Sequence, residues 1–198
     1  MHVQLLFVTP DAEALIARCA RVSHRSASQG LEDDRRLIRK LLTLGHESVL
    51  EHAVATFEIS GISRACANQL TRHRLASFVQ ESQRYVDVRD CALVRPPTFS
   101  DEDWAEAQAL FEQAKNLYQR LLAQGVPKED ARFVLPLGIE TRLVVTANFR
   151  ELRHILRLRL DRSAQWEIRE VARRMWRLLY VEAPSCFEDL KELAEEDG

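Results

Sequence analysis

Apolar and polar positions change period repeatedly along the chain, and the changes mark its elements. Short β-type segments lie over 3–8 (VQLLFV), 53–60 (AVATFEIS) and 142–149 (RLVVTANF), the last with clean alternation. Helical spacing governs 11–22, with Ala14, Leu15, Ala17 and Ala20, and 31–44, with Leu31, Leu37, Ile38, Leu41, Leu42 and Leu44. Gly45 supplies the stop of the second helix. A third helix is expected over 62–74, entered through Ser60 and Gly61, while 77–88 has no clean period and reads as a loop followed by a strand. Ser100 caps a long helix to about 124, with acids at 101, 102 and 103 in its first turn, and Pro127 opens a short one. Two helices follow over 150–160 and 163–180. The pattern predicts an α+β chain, richer in helix than strand, forming a single domain over 1–198.

With 198 residues, 46% of them apolar, the chain has enough material for one sizeable core or at most two small ones. No apolar run approaches the roughly 18 residues of a membrane span, so no membrane partner is expected. Residues 1–10 lack the basic flank and small-residue cleavage site of a signal peptide. Cys19, Cys66, Cys91 and Cys186 form no CxxC pair and read as free thiols, which places the protein in a cytoplasmic setting.

A net charge of −2 argues against a general nucleic-acid binder. Its distribution says more. The chain carries 24 Arg and 4 Lys, ten of the Arg within 142–177 against four acids, while the last 17 residues hold seven acids and one Lys. Arginine suits planar, bidentate capture of phosphate or carboxylate. On a helix over 150–160, Leu152, Ile155 and Leu156 define the apolar face and Arg159 falls at its centre, whereas Arg150, Arg153 and Arg157 cluster on another side. A guanidinium aimed with three aliphatic side chains must meet an anion, either a ligand in a cleft or a carboxylate of the protein.

The helix expected over 62–74 repeats the theme, with Gln69 and His73 on the face of Ile62, Ala65 and Cys66, and Arg72 at its margin. Around it Arg72, His73, Arg74, Ser77, Ser82, Arg84 and Tyr85 crowd hydrogen-bonding side chains into fourteen residues, an inventory suited to a phosphate plus a heterocyclic base. GxGxxG, GxxxxGK[ST] and HExxH are all absent. His46 and His52, in GHESVLEH, lie six apart and would face different ways on a helix, so no metal site is expected.

The segment RHRLASFVQESQRY, 72–85, resembles the signature RHRxxSx(N)xxSxRY of the flavin-dependent thymidylate synthases. GHESVLEH at 45–52, ARFVLPLGIETR at 131–142 and ANFRELRHILRLRLDRSAQWEIRE at 147–170 agree with that family in order, so the resemblance covers roughly 15–185. Val79 stands where many members have Asn, and Gln80–Glu81 where others have Glu and a variable residue.

The resemblance implies a homotetramer with an α/β fold built on an antiparallel sheet flanked by helices, with FAD and dUMP held at sites shared between subunits. It implies methylation of dUMP to dTMP, with 5,10-methylenetetrahydrofolate as carbon donor, bound FAD, and NADPH as reductant. Carried over by position, the dUMP contacts fall on Gln69, Arg72, Gln80, Glu81, Ser82, Gln83, Arg84, Arg132 and Arg159. The FAD contacts fall on His46, Ser48, Arg72, His73, Arg74, Gln80, Asn148, Arg150 and His154, the last replacing an Asn of some relatives. The catalytic role falls on Arg159, which would stabilise negative charge on the uracil ring. A competing reading, a nucleotide- or RNA-binding module that stacks bases on Phe78, Tyr85 and Trp166, predicts a colourless protein that takes up no FAD.

Overall fold

The computed structural model describes residues 1–86, 88 and 91–195. Four strands form one antiparallel sheet in the order β1-β2-β4-β3: β1 His2–Val8, β2 Val54–Ser63, β3 Ser77–Gln80 and β4 Glu140–Asn148. The helices are α1 Ala12–Arg21, α2 Leu31–Thr43, α3 Arg64–Leu70, α4 Asp101–Ala123, α5 Lys128–Ala131, α6 Phe149–Leu160, α7 Trp166–Glu182, α8 Pro184–Phe187 and α9 Lys191–Glu195. A 3₁₀ segment, Glu47–His52, leads into β2.

Alternation decides which sheet face is covered. Ala55, Phe57 and Ile59 of β2 and Leu143, Val145 and Ala147 of β4 are buried, and they share a core with Leu152, Ile155 and Leu156 of α6 and with Ile168, Val171, Met175 and Leu179 of α7. The intervening residues turn away. Thr56 and Thr146 face each other across the pair with their hydroxyls 2.9 Å apart, and Arg142 is exposed. A second, smaller cluster gathers Phe111 and Tyr118 of α4 with Val88, Ala131 and Ile139.

Three sequence expectations need correction. The helix expected over 62–74 is only Arg64–Leu70, because Ile62 and Ser63 still pair with Thr141 and Glu140 in β2. A bulge at Gly61 allows this: its φ is +66°, and a Cβ there would sit 3.0 Å from the Met1 nitrogen. Ser63 then caps α3, accepting from the Cys66 N–H at 3.0 Å. Beyond Leu70 the chain leaves the helix, so Arg72, His73 and Arg74 stand in a turn. In 77–88 the order is reversed, strand first and turn after, with position 87 outside the described residues. Asn148 ends β4 and Phe149 already belongs to α6.

The remaining elements match within a few residues. Ser100 caps α4 as expected, Asp103 reciprocates by accepting from the Ser100 N–H, and Gly45, at φ +73°, closes α2. The acidic C-terminus was not assigned structure from the sequence, yet α8 and the following turn fold back onto α2 and α6 through Arg39–Glu188 at 2.6 Å and Arg153–Asp189 at 2.6 Å.

Candidate functional site

Where β4 hands over to α6, the Asn148 side chain accepts from the Glu151 N–H at 2.9 Å and starts the helix. The same capping fixes which α6 side chains face the turn after α3. Between them opens a cleft of about 880 Å³ lined by Arg72, His73, Arg74 and Leu75 from the turn, by Asn148, Arg150, Glu151, His154, Arg157, Leu158 and Arg159 from α6 and its cap, and by Glu47 and Glu51 from the 3₁₀ segment. Five arginines meet three carboxylates along its walls, which leaves it cationic. Leu75 and Leu158 add apolar surface exposed to the cleft.

Arg159 is half-buried and held by two neutral acceptors. Its Nε donates to His73 Nε2 at 3.0 Å and one Nη to the Gln69 carbonyl at 2.9 Å. Among the described residues no carboxylate pairs with Arg159 or Arg72. Burial and the neighbouring Arg72 both disfavour the charge on Arg159, so an anion in this cleft would be welcome to both. The sequence put Arg159 in the centre of an apolar face needing an anionic partner, and the structure supplies none from the protein.

The protein-carboxylate alternative is realised instead at Arg153, which the sequence placed on another side of the helix. Arg153 is fully buried, forks onto both oxygens of Asp189 at 2.6 Å, and donates to the Cys186 carbonyl. Glu47 joins this network, 2.7 Å from Arg157 and 3.6 Å from Arg153. Against the upward push of burial, these two guanidiniums hold the Glu47 carboxyl below the usual carboxylate range. Arg150, exposed, pairs with Glu51 at 2.5 Å.

His73 is buried, with its ring edge-on to His154 at 5.8 Å. Burial, then the nearby Arg159 and His154, push its pKa down to about 4, so the imidazole is neutral at pH 7.

Of the residues assigned by resemblance, this cleft unites Arg72, His73, Arg74, Asn148, Arg150, His154 and Arg159, with Gln69 touching it through its carbonyl. His46 and Ser48 line a different cleft of about 430 Å³ with Arg21 and Lys40, on the far side of the segment that carries Glu47 and Glu51. The other dUMP residues collect at the opposite end of β4. Gln80 Nε2 lies 3.4 Å from Thr141 Oγ1, the Glu81 N–H donates to the Arg142 carbonyl at 2.9 Å, and Arg84 approaches Glu129 at 3.4 Å. Arg132 donates to the Glu129 carbonyl at 3.1 Å, Ser82 Oγ accepts from the Arg84 N–H at 3.3 Å, and Gln83 is buried nearby. Arg142 and Asn148 are six residues apart on one strand, about 20 Å at the usual rise. One chain therefore holds the expected site in three separate parts.

Sequence reasoning missed two supporting side chains. Arg64 anchors the 81–84 turn through the Glu81 carbonyl at 2.9 Å while Arg132 lies close enough to repel it. Glu151 is buried beside His73. The spacing Asn148–Glu151 marks a helix start in the sequence, but nothing there says which histidine the carboxylate meets. Among the described residues no group of three or more His, Cys, Asp or Glu is placed to hold a metal, and no helix is long and apolar enough to cross a membrane.

Residues 4–185 match the sequence profile of the thymidylate synthase complementing protein family. A flavin-dependent thymidylate synthase of Geobacter sulfurreducens is 45% identical over 202 residues, covering 96% of this chain and 86% of the relative. One from Halobacterium salinarum is 39% identical, covering 95% and 94%, and one from Pyrococcus furiosus 43% identical, covering 84% and 70%. With a cationic cleft built from the RHR segment and a match along nearly its whole length, the chain belongs to the flavin-dependent thymidylate synthases, a family of enzymes.

Proposed function

We propose that this enzyme methylates dUMP reductively to dTMP, with 5,10-methylenetetrahydrofolate as carbon donor, FAD as bound cofactor and NADPH as reductant. It does so as a cytoplasmic homotetramer of single-domain chains. The relatives' shared name supplies the flavin and the thymidylate product.

The cleft's donor set fits a flavin dinucleotide. Arg72 and Arg74 would meet its pyrophosphate, while His154 and the Asn148 amide nitrogen offer hydrogen bonds to ring edges and the His73 ring, Leu75 and Leu158 form a wall. Bound FAD would supply the redox chemistry, using reducing equivalents from NADPH. Arg150 needs only to swing from Glu51, an exposed pair of little net strength, to serve the same ligand.

Arg159 carries the catalytic role. Two of its donors are fixed by His73 and the Gln69 carbonyl, which aims the remaining guanidinium edge at the cleft. Placed against the uracil ring, that edge stabilises the negative charge that develops there, a role typically worth about 2.7–4 kcal/mol. Arg84, Arg132 and Ser82 clamp the nucleotide phosphate, and Gln80, Glu81 and Gln83 shape the same turn. Because this turn lies about 20 Å along β4 from the Arg159 cleft, a second copy of the chain brings it to the nucleotide. His46 and Ser48 reach the flavin from the neighbouring cleft in the same manner.

The observation that carries the reading is Arg159 itself, a half-buried cation in a cationic cleft with only neutral acceptors from the protein. The test is chromatographic detection of dTMP from purified protein given dUMP, methylenetetrahydrofolate and NADPH, with and without FAD. Product that depends on all four supports the reading. A colourless protein that binds no added FAD and forms no dTMP overturns it and favours the binding module.

A further inference from the structure

Glu151 has no part in the chemistry proposed above, yet it is one of few buried carboxylates among the described residues and lies on the wall of the cleft. Its Oε1 stands 3.7 Å from His73 Nδ1. On the other side of the same ring, Nε2 is 3.0 Å from Arg159 Nε. A guanidinium has no acceptor, so this contact forms only if Nε2 is bare. A neutral imidazole carries one proton, which the contact confines to Nδ1, the nitrogen facing Glu151.

We infer that Glu151 is a positioning residue: it holds the His73 proton on Nδ1, so that Nε2 can accept from Arg159 and fix the direction of that guanidinium. The inference rests on the role given to Arg159 above. The charged and titratable groups around His73 agree with it. Arg159 and His154 both act against a positive imidazole, and Arg72 lies behind Arg159. Glu151 is the acidic side chain placed against the ring. At 3.7 Å its influence is electrostatic rather than a direct hydrogen bond, which suffices to choose between two tautomers of similar energy. Free neutral histidine favours its proton on Nε2. Without Glu151 the ring would present an N–H to the N–H of Arg159, and the arginine would lose its anchor at Nε and keep only the Gln69 carbonyl.

The test combines a spectrum with kinetics. In protein labelled with ¹⁵N-histidine, the two ring nitrogens of His73 are assigned by difference from His73→Gln, at pH 7 and without ligands. Wild type is expected to show the proton on Nδ1; a proton on Nε2 overturns the inference with no variant needed. Glu151→Met should move the proton wholly or partly to Nε2 and lower kcat about 10²-fold, with the KM for dUMP and the affinity for FAD within about twofold. Glu151→Gln, which keeps an acceptor oxygen, should recover most of both. An unchanged His73 signal in a folded Glu151→Met protein contradicts the inference whatever its activity. If wild type forms no dTMP but the tautomer still switches, the catalytic role of Arg159 falls while the hold of Glu151 on His73 stands.

Discussion

Arg153 and Arg159 sit six residues apart on one helix and show how far identical side chains can diverge. Arg153 is fully buried, with both Nη atoms bound to Asp189, one also to the Cys186 carbonyl, Glu47 nearby and its Nε without a hydrogen-bond partner; Arg159 is half-buried and keeps part of its fork open. Helical angle alone placed Arg159 inward, and correctly, because Leu152, Ile155 and Leu156 are all buried beside it. Angle carries no information on depth, though. Arg159 lies about 9 Å further along the axis, near the helix end where the core gives way to the cleft. Arg153, on the flank, is buried only because the segment after α7 covers it, a tertiary contact that no local pattern reveals. Replacing Arg159 with Ala should leave FAD bound and lower dTMP formation about 10²–10³-fold. Near wild-type turnover would remove it from the chemistry. His73 adds a pH signature. Its folded pKa, about 4, lies below the ordinary 6.5, so the unfolded chain binds more protons between those values. This contribution to stability is complete above pH 6.5 and is lost as pH falls toward 4. Urea titrations across that range should show a smaller loss for His73→Gln than for wild type.

At the scale of elements, the strong periodic helices were legible: α1, α2, α4, α6 and α7 lie within three residues of their expected bounds at either end. The failures cluster around the RHR segment. Ile62 and Ser63 fit a helical pattern, but ladder bonds to β4 and the Gly61 bulge keep them in the strand. The reading of 77–88 failed because β3 is only four residues long and takes its definition from pairing with β4. The acidic C-terminus was noted in the sequence only for its charge, yet Glu188 and Asp189 bind it to the body. They should differ in weight. Asp189→Ala strips the main partner from a buried arginine and should cost about 3 kcal/mol in urea unfolding. Glu188→Gln, in a pair open to water, should cost less than about 1 kcal/mol. Equal losses would contradict the assignment of Arg153 as the structural member of the cluster.

The whole molecule poses a question that neither scale answers. The resemblance implied sixteen contact residues at sites shared between subunits, and within one chain those residues stand apart. The Arg72–Arg159 group lies at one end of β4, the Gln80–Arg84 turn with Arg132 at the other, and His46 and Ser48 across the 3₁₀ segment. Sequence order cannot show this, because a motif that is continuous from 72 to 85 crosses a strand whose two ends face different places. If the site is completed between copies, two individually crippled chains can repair each other. Arg159→Ala loses the cleft and Arg84→Ala loses the phosphate clamp, but an interface joining the intact half of each is wild type. The deciding measurement is tritium release from 5-tritiated dUMP by hybrids of these two variants, co-expressed and purified together. The hybrids should turn over far faster than either parent. Activity no greater than the average of the parents would mean that each site belongs to a single chain, and the assembly proposed for this enzyme would be wrong.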